Sequence, residues 1–193
     1  DVELIDAIAR VQAPLLTAEG LNRVQALEDA VIPVVIEMES NGVPLNMPLL
    51  EWWEAESKRI LEKMQWELYR MVGFAVNPDS PKDMARLFKL CGESYPLTAT
   101  GKQGSFPAPV VQAAATRAPA IKLAFRIGKV TDLRNKYLCK YINEQVGGIL
   151  YPTLHQLLFD DGTHGIKGTV SGRFSCVRPN LQQVLNKDKH GLA

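Results

Sequence analysis

Apolar positions recur at helical spacing over most of the first 145 residues. After Glu19-Gly20, the residues Leu27, Val31, Val34 and Met38 are spaced 4, 3 and 4 apart, which predicts one amphipathic helix over 22–41. Pro33 falls inside that pattern, and its missing N–H and bulky ring predict a kink or break there. Asn41-Gly42 supplies the stop. Asn46 predicts the N-cap of a second helix running to about Val72 and ending at Gly73, with a solvent side rich in Glu and Lys. A loop over Asn77–Pro81 follows. Ser80 is the expected cap, Pro81 the first helical residue and Asp83 lies three after the cap, so a short helix through Leu90 is predicted, closed by Cys91-Gly92. Residues 93–107 carry Gly, Ser, Thr and Pro without an apolar period and read as an exposed loop. A short helix is expected over 108–116. A longer one is expected from Pro119 to about Gln145, stopped by Gly147-Gly148.

The period changes at Ile149. LYPTLHQLLF is β-prone, DDGTHG is turn chemistry and IKGTVSGRFS is a second β-prone run. The expected fold class is therefore mainly α with a small antiparallel β element, an α+β arrangement. No internal repeat, low-complexity tract or interdomain linker is visible.

Composition narrows the class. At 193 residues and 46% hydrophobic, the chain can form one domain or two small ones with a real core, and the composition argues against disorder. A mean hydropathy of −0.07 with scattered charges argues against an integral membrane protein. The start, DVELIDAIAR, is acidic and amphipathic and unlike a signal peptide. Cys91, Cys139 and Cys176 lie far apart without a CxxC spacing, which suits a reducing, cytoplasmic compartment. His155, His164 and His190 have no metal-ligand spacing and are expected in turns or on the surface. Trp52, Trp53 and Trp66 share a predicted helix and are read as core or partner-facing. No P-loop, G-x-S-x-G or G-x-G-x-x-G occurs.

Net charge is +1, but the halves differ sharply. Residues 1–94 hold 9 basic and 16 acidic side chains, a net of −7, whereas 95–193 hold 13 and 5, a net of +8. Such asymmetry is the footprint of a polyanion-binding surface, unless the unequal halves arise by chance or pair with each other. On an ideal helix from Pro119, the cations Lys122, Arg126, Lys129, Lys136 and Lys140 share an arc of roughly 80° beside the apolar side, with no acid on the arc. Long side chains placed there can reach a phosphate backbone while their stems rest on protein. A plain solvated face is the other reading.

Residues 169–183, TVSGRFSCVRPNLQQ, are the most specific stretch. Thr, Ser, Asn and Gln recur without a period and are interrupted by Gly172 and Pro179, which speaks against a core strand. Arg173, Asn180, Gln182 and Gln183 can serve base edges, and minor-groove acceptors common to all base pairs allow duplex geometry to be checked without reading sequence.

This run, T-x-x-G-R-[FL]-S-x-x-x-P-N-L-Q, resembles the first palm motif of family A DNA polymerases, the DNA polymerase I type, and most resembles the phage branch. The resemblance extends upstream. LEDAVIPVVIEMESNGVPLN (27–46) is similar to the family's entry helix, NPDSPKDMARLF (77–88) to a thumb run, TATGKQGSF (98–106) to the thumb-tip loop, and YPTLHQ (151–156) to a palm segment. The chain departs from the pattern at Phe106, where Thr is usual, and in lacking a Lys before the tip loop. Tyr151, His155 and Leu185 also differ from the usual types.

The resemblance implies a connection from an exonuclease-type domain over 1–26, a helical thumb over 27–148 and the start of a palm over 149–193. It implies primer–template DNA as partner, contacted by Arg173, Ser175, Asn180, Gln182 and Gln183 in the minor groove. Thr100, Lys102 and Ser105 would contact DNA at the thumb tip, and Lys122, Arg126, Lys129, Lys136 and Lys140 along the stripe. The two-metal chemistry of the family, with Mg²⁺ as the expected ion, uses carboxylate motifs that this sequence does not contain, so no catalytic residue is expected here and the ions would bind outside this chain. The remaining palm and fingers are the other implied partners. Asp160-Asp161 is read as a turn. Asp1 is either an exonuclease-type metal ligand or a helix N-terminal acid. Two alternatives stand beside part of a polymerase: a non-catalytic duplex-binding subunit of a split enzyme, and a helical interaction module. The expected setting is the cytoplasm of a bacterial cell or phage-infected host, without a membrane.

Overall fold

The computed structural model describes residues 2–157, 159–160, 166–167 and 172–184. Asp1, Asp161, His164, Leu185 and His190, each given a reading above, lie outside the described residues. Two compact units form, one from Leu45–Gly148 together with the chain from Val184, the other from the chain up to Pro44 together with Ile149–Gln183.

The Leu45–Gly148 unit is helical. Its first helix, α3 (Met47–Val72), begins where Asn46 Oδ1 accepts a hydrogen bond from Leu49 N–H, and it ends on Gly73 with φ +77°. Both ends match the sequence expectation because both caps are made by residues at the boundary itself. In α4 (Pro81–Leu90), Ser80 Oγ accepts from Asp83 N–H at 3.3 Å. The Asp83 carboxylate does not return to the cap residue. It accepts from Asn77 N–H at 3.1 Å and so closes the preceding loop onto the helix. α5 (Ala108–Ala115) and α6 (Pro119–Leu133) follow.

The core collects one stripe from each helix. Met64 and Leu68 come from α3, Met84, Leu87 and Phe88 from α4, Val111 and Ala114 from α5, and Ala120, Ile121, Ala124 and Ile127 from α6. The spacings of 3 and 4 are those of a buried helical face. Leu87, Phe88 and Ile121 are fully enclosed, and the alanines let α5 and α6 approach closely.

One helix departs from the sequence reading. Instead of a single α-helix from Pro119 to Gln145, α6 gives way to a π-helical segment over Arg134–Cys139, followed by α7 (Lys140–Glu144). The wider i→i+5 turns advance less per residue. Residues beyond Leu133 therefore leave the azimuth that an ideal helix assigns them. Arg134, the first π residue, forms an ion pair with Glu54 of α3, and Tyr137 stacks edge-on against Tyr141.

The loop after α4 is less exposed than its composition predicts. Tyr95 and Phe106 pack on Phe88 with ring centroids 5.9 and 5.1 Å away and lie 4.9 Å from each other. The three rings extend the core outward to the feet of the loop.

The other unit starts with α1 (Val2–Ala18) and α2 (Asn22–Asn41). α2 continues through Pro33 without a break and across the 26/27 boundary expected from sequence. β1 (Val43–Pro44) pairs antiparallel with β2 (Ile149–Leu150). β3 (Thr153–His155) pairs antiparallel with β6 (Ser175–Val177), in the register Leu154 opposite Cys176, and β4 (Phe159–Asp160) with β5 (Ile166–Lys167). Asp160 thus lies in a strand rather than a turn, and His155 lies half-buried in a strand of the β-prone run. α2 is tied to this β region by Leu154 N–H donating to Glu39 Oε1 at 2.6 Å and by the Gln156 amide donating to Glu28. Gly42 permits the crossing. At φ +62° its ideal Cβ would lie 2.6 Å from both Ile149 Cγ2 and Leu150 O, so only a residue without a side chain fits.

Candidate nucleic-acid interface

The polar segment over 172–184 is built around a buried turn. Cys176 is enclosed in β6, which corrects the expectation that this stretch contributes no core strand: a small thiol and a proline supply the burial that its polar composition hides. Cys176 Sγ donates to Pro179 O at 3.3 Å and accepts from Leu181 N–H at 3.5 Å. Pro179 is itself fully buried. A short 3-10 turn, Leu181–Gln183, follows. Across the segment, Gln182 Nε2 donates to Phe174 O at 2.8 Å and Gln182 N–H donates to Asn180 Oδ1 at 3.1 Å. Two side chains expected to meet bases are thus used first to brace the segment, fixing Asn180 and the 3-10 turn relative to the residue after Arg173.

Arg173, Gln182 and Gln183 are exposed and Asn180 is half-buried. Ser175 is different. Its Oγ is enclosed, with no hydrogen-bond partner among the described residues, so it does not face solvent. The structure also brings forward Arg178, which the motif does not mark. It is exposed and has φ +52°. Its local signal was position alone, directly before the proline of the motif.

The loop in the helical unit is a small closed ring. Leu97 and Gly104 form a β-bridge, Thr98 N–H donates to Gln103 O at 2.8 Å, and Gly101 N–H donates to Thr98 O at 2.7 Å. Thr98 Oγ1 and Thr100 Oγ1 share a hydrogen bond at 3.1 Å. Thr100 and Lys102 are exposed at the tip, whereas Ser105 lies half-buried at the base. Gly104 is required there: a Cβ would stand 2.8 Å from the Phe106 ring and 2.9 Å from that of Tyr95.

The cationic stripe is divided. Lys122 and Arg126 are exposed and border an open hollow of about 480 Å³ with Arg117, Gln112 and Thr116. Arg117 lies between α5 and α6, off the helix that carries the stripe. It grips Glu93 with two hydrogen bonds, at 2.9 and 2.6 Å, and this hydrogen bonding holds the Glu93 carboxyl below its ordinary value. Lys129 Nζ lies 5.3 Å from the Phe125 ring centroid. Lys136 pairs with Asp132 at 3.1 Å and Lys140 with Glu144 at 3.9 Å. The expectation of an acid-free arc of five cations is therefore corrected. Both partners stand four residues from their lysines, and Glu144 falls at about 40° even on an ideal helix, at the azimuth of Arg126, so the arc is not free of acids.

The tryptophans of α3 are not core residues: Trp52 and Trp66 are exposed, Trp66 lies under Arg70, and Trp53 stacks edge-on against Trp52. Among the described residues, no three His, Cys, Asp or Glu side chains converge as a metal site, so they do not fit the metal pair that the resemblance implies. Among the same residues, no helix is long and apolar enough to cross a membrane.

No protein-family model matches the chain. It is similar to the DNA polymerase DpoZ of Vibrio phage phiVC8, 29% identical over 98% of this chain and 30% of that protein. The DpoZ polymerase of Salmonella phage PMBT28 is 27% identical, with 98% and 32% covered. The thermostable DNA polymerase I of Thermus filiformis is 27% identical over 89% of this chain and 20% of its own length. In fold, the chain matches the POL domain of Pol1 from M. smegmatis, solved with DNA primer-template and dNTP, at TM-score 0.70 and 21% identity, covering 98% of this chain and 32% of that one. The resemblance to phage-type family A polymerases is borne out, and the chain spans about a third or less of the length of these relatives.

Proposed function

We propose that this chain is the duplex-gripping region of a family A DNA polymerase, comprising the thumb and the opening of the palm, and that it serves template-directed addition of deoxynucleotides to a primer end. The observation that carries this reading is the 172–184 segment, where the palm-motif residues are braced from within by Cys176, Pro179 and Gln182 and present Arg173 to solvent. A rigid polar segment of this kind suits contact with groove acceptors shared by all base pairs, which must not depend on sequence.

The second DNA-contacting element is in the helical unit. In this reading Thr100 and Lys102 at the loop tip and Lys122 and Arg126 on α6 meet phosphates. Arg173 and Gln183, with Asn180 in a positioning role, serve the minor groove. The two-metal chemistry, with Mg²⁺ as the ion, belongs to carboxylates outside this chain and supplies stabilisation of the attacking and leaving oxygens. The remaining palm and fingers are the protein partners. The exposed apolar side chains of Leu4, Ile5, Ile8 and Val11 on α1 suit a region that packs against such neighbours. The working compartment is the cytoplasm of a bacterium or phage-infected cell.

The test is primer extension by the full natural polypeptide carrying Arg173→Ala. A loss of 10-fold or more in extension, with an unchanged melting temperature, is expected. Extension at the wild-type rate would overturn the assignment.

A further inference from the structure

We propose that Arg178 holds a backbone phosphate of the bound duplex, acting as a second cation of the 172–184 segment beside Arg173. This rests on the DNA-gripping function proposed above, and it adds a residue that the sequence motif does not point to.

Three observations converge. First, Arg178 has φ +52°, a backbone region that glycine and asparagine occupy readily and arginine rarely does. The conformation is imposed from both sides. Val177 is paired with Thr153 in the β3–β6 ladder, and Pro179 is fully buried with its carbonyl bound to the Cys176 thiol. The turn would accept glycine with less strain, yet it carries the longest cationic side chain.

Second, Arg178 is exposed between a half-buried and a buried neighbour, and among the described residues it has no ion-pair partner. The contrast within this chain is clear. Arg10, Arg59, Arg117 and Arg134 are committed to Asp6, Glu56, Glu93 and Glu54, whereas Arg178, like Arg126, is exposed and open to a group from outside.

Third, Arg173 and Arg178 flank the three-residue strand β6, and the turn between Cys176 and Leu181 is locked by the thiol. Two cations are thus carried on one rigid element rather than on a mobile loop. A guanidinium offers paired donors that match a phosphate, and a contact to phosphate strengthens binding without adding sequence preference.

The experiment measures the dissociation constant of the full natural polypeptide for a primer–template duplex of mixed sequence, as a function of NaCl, for wild type, Arg178→Ala, Arg178→Gly, Arg178→Lys and Arg173→Ala. Loss of one phosphate contact lowers the log–log salt slope by about 0.9. Arg178→Ala and Arg178→Gly are expected to lose that amount and to bind roughly 3- to 10-fold more weakly at low salt, while Arg178→Lys keeps the slope. Arg178→Gly relieves the backbone, so its melting temperature is expected at or above that of wild type, which separates a lost contact from a damaged fold.

A wild-type slope in both Arg178→Ala and Arg178→Gly, with Arg173→Ala still impaired, would overturn the role of Arg178 and leave the gripping function standing. Loss in Arg178→Ala alone would make the position a matter of backbone conformation and overturn it as well. Absence of salt-dependent duplex binding by the wild type would overturn both readings together.

Discussion

Arg134 and Glu54 form an ion pair between residues 80 apart in sequence, with side chains only 24% and 28% exposed. Arg134 opens the π-helical segment, and Glu54 lies on α3 one turn before the buried Ser57, whose hydroxyl donates to the Glu54 carbonyl at 2.8 Å. The pair fastens the point where helical geometry changes to the longest helix of the unit. A partly enclosed charge left without its partner is costly, whereas removing both charges is less so.

Arg134→Met is accordingly expected to lower stability by about 1–3 kcal/mol. The double variant Arg134→Met with Glu54→Leu should recover much of that loss. Chemical denaturation of the two variants and the wild type provides the check, and equal losses for single and double variants would count against the pair.

Gly42 is the second pressure point. Its ideal Cβ collides with Ile149 and Leu150, and its φ of +62° adds backbone strain for any other residue. Gly42→Ala is expected to cost about 2–4 kcal/mol, through displacement of β1 from β2. Thermal unfolding would show it, with Gly20→Ala as the comparison, because Gly20 shares a positive φ (+70°) but has open space around it.

The Glu93–Arg117 pair gives a pH dependence. Hydrogen bonding to Arg117 lowers the Glu93 pKa in the folded state from the ordinary 4.5. Stability from this pair is therefore present above the unfolded carboxylate pKa and fades as pH falls through the lower folded value. Glu93→Gln should melt below wild type at pH 7, and the difference should shrink steadily below about pH 4.5. A difference that persists undiminished at pH 3 would contradict the assignment.

Division of the cationic stripe predicts unequal roles. Replacing Lys122 and Arg126 by Ala is expected to reduce the salt slope of duplex binding by about 2, whereas replacing Lys136 and Lys140, already paired with acids, should change it by well under 1. Binding isotherms at several salt concentrations separate the two outcomes.

The elements most legible in sequence were those whose determinants are local. Asn46, Gly73, Ser80 and Pro81 mark helix ends through groups on those residues, so α3 and α4 emerged with their bounds. The π-helical segment was not legible, because reading with a 3.6-residue period presupposes α-geometry and the Glu54 partner lies 80 residues away. Likewise, α2 folds with residues after Ile149 through the pairing of Val43 with Leu150, which no local pattern announces. At the candidate site, the motif pointed to Arg173, Asn180 and Gln182. It could not reveal that Gln182 braces Phe174, that Ser175 turns inward, or that Arg178 sits at positive φ.

The ring cluster of Phe88, Tyr95 and Phe106 has an evolutionary consequence. Both feet of the tip loop are anchored in the helical core, and the Leu97–Gly104 bridge closes the loop above them. The six residues between bridge partners can therefore lengthen or change without disturbing the helices beneath, since a longer loop closed at a fixed base costs little extra entropy. The tip is a natural insertion point, where a new module could be grafted onto an unchanged scaffold.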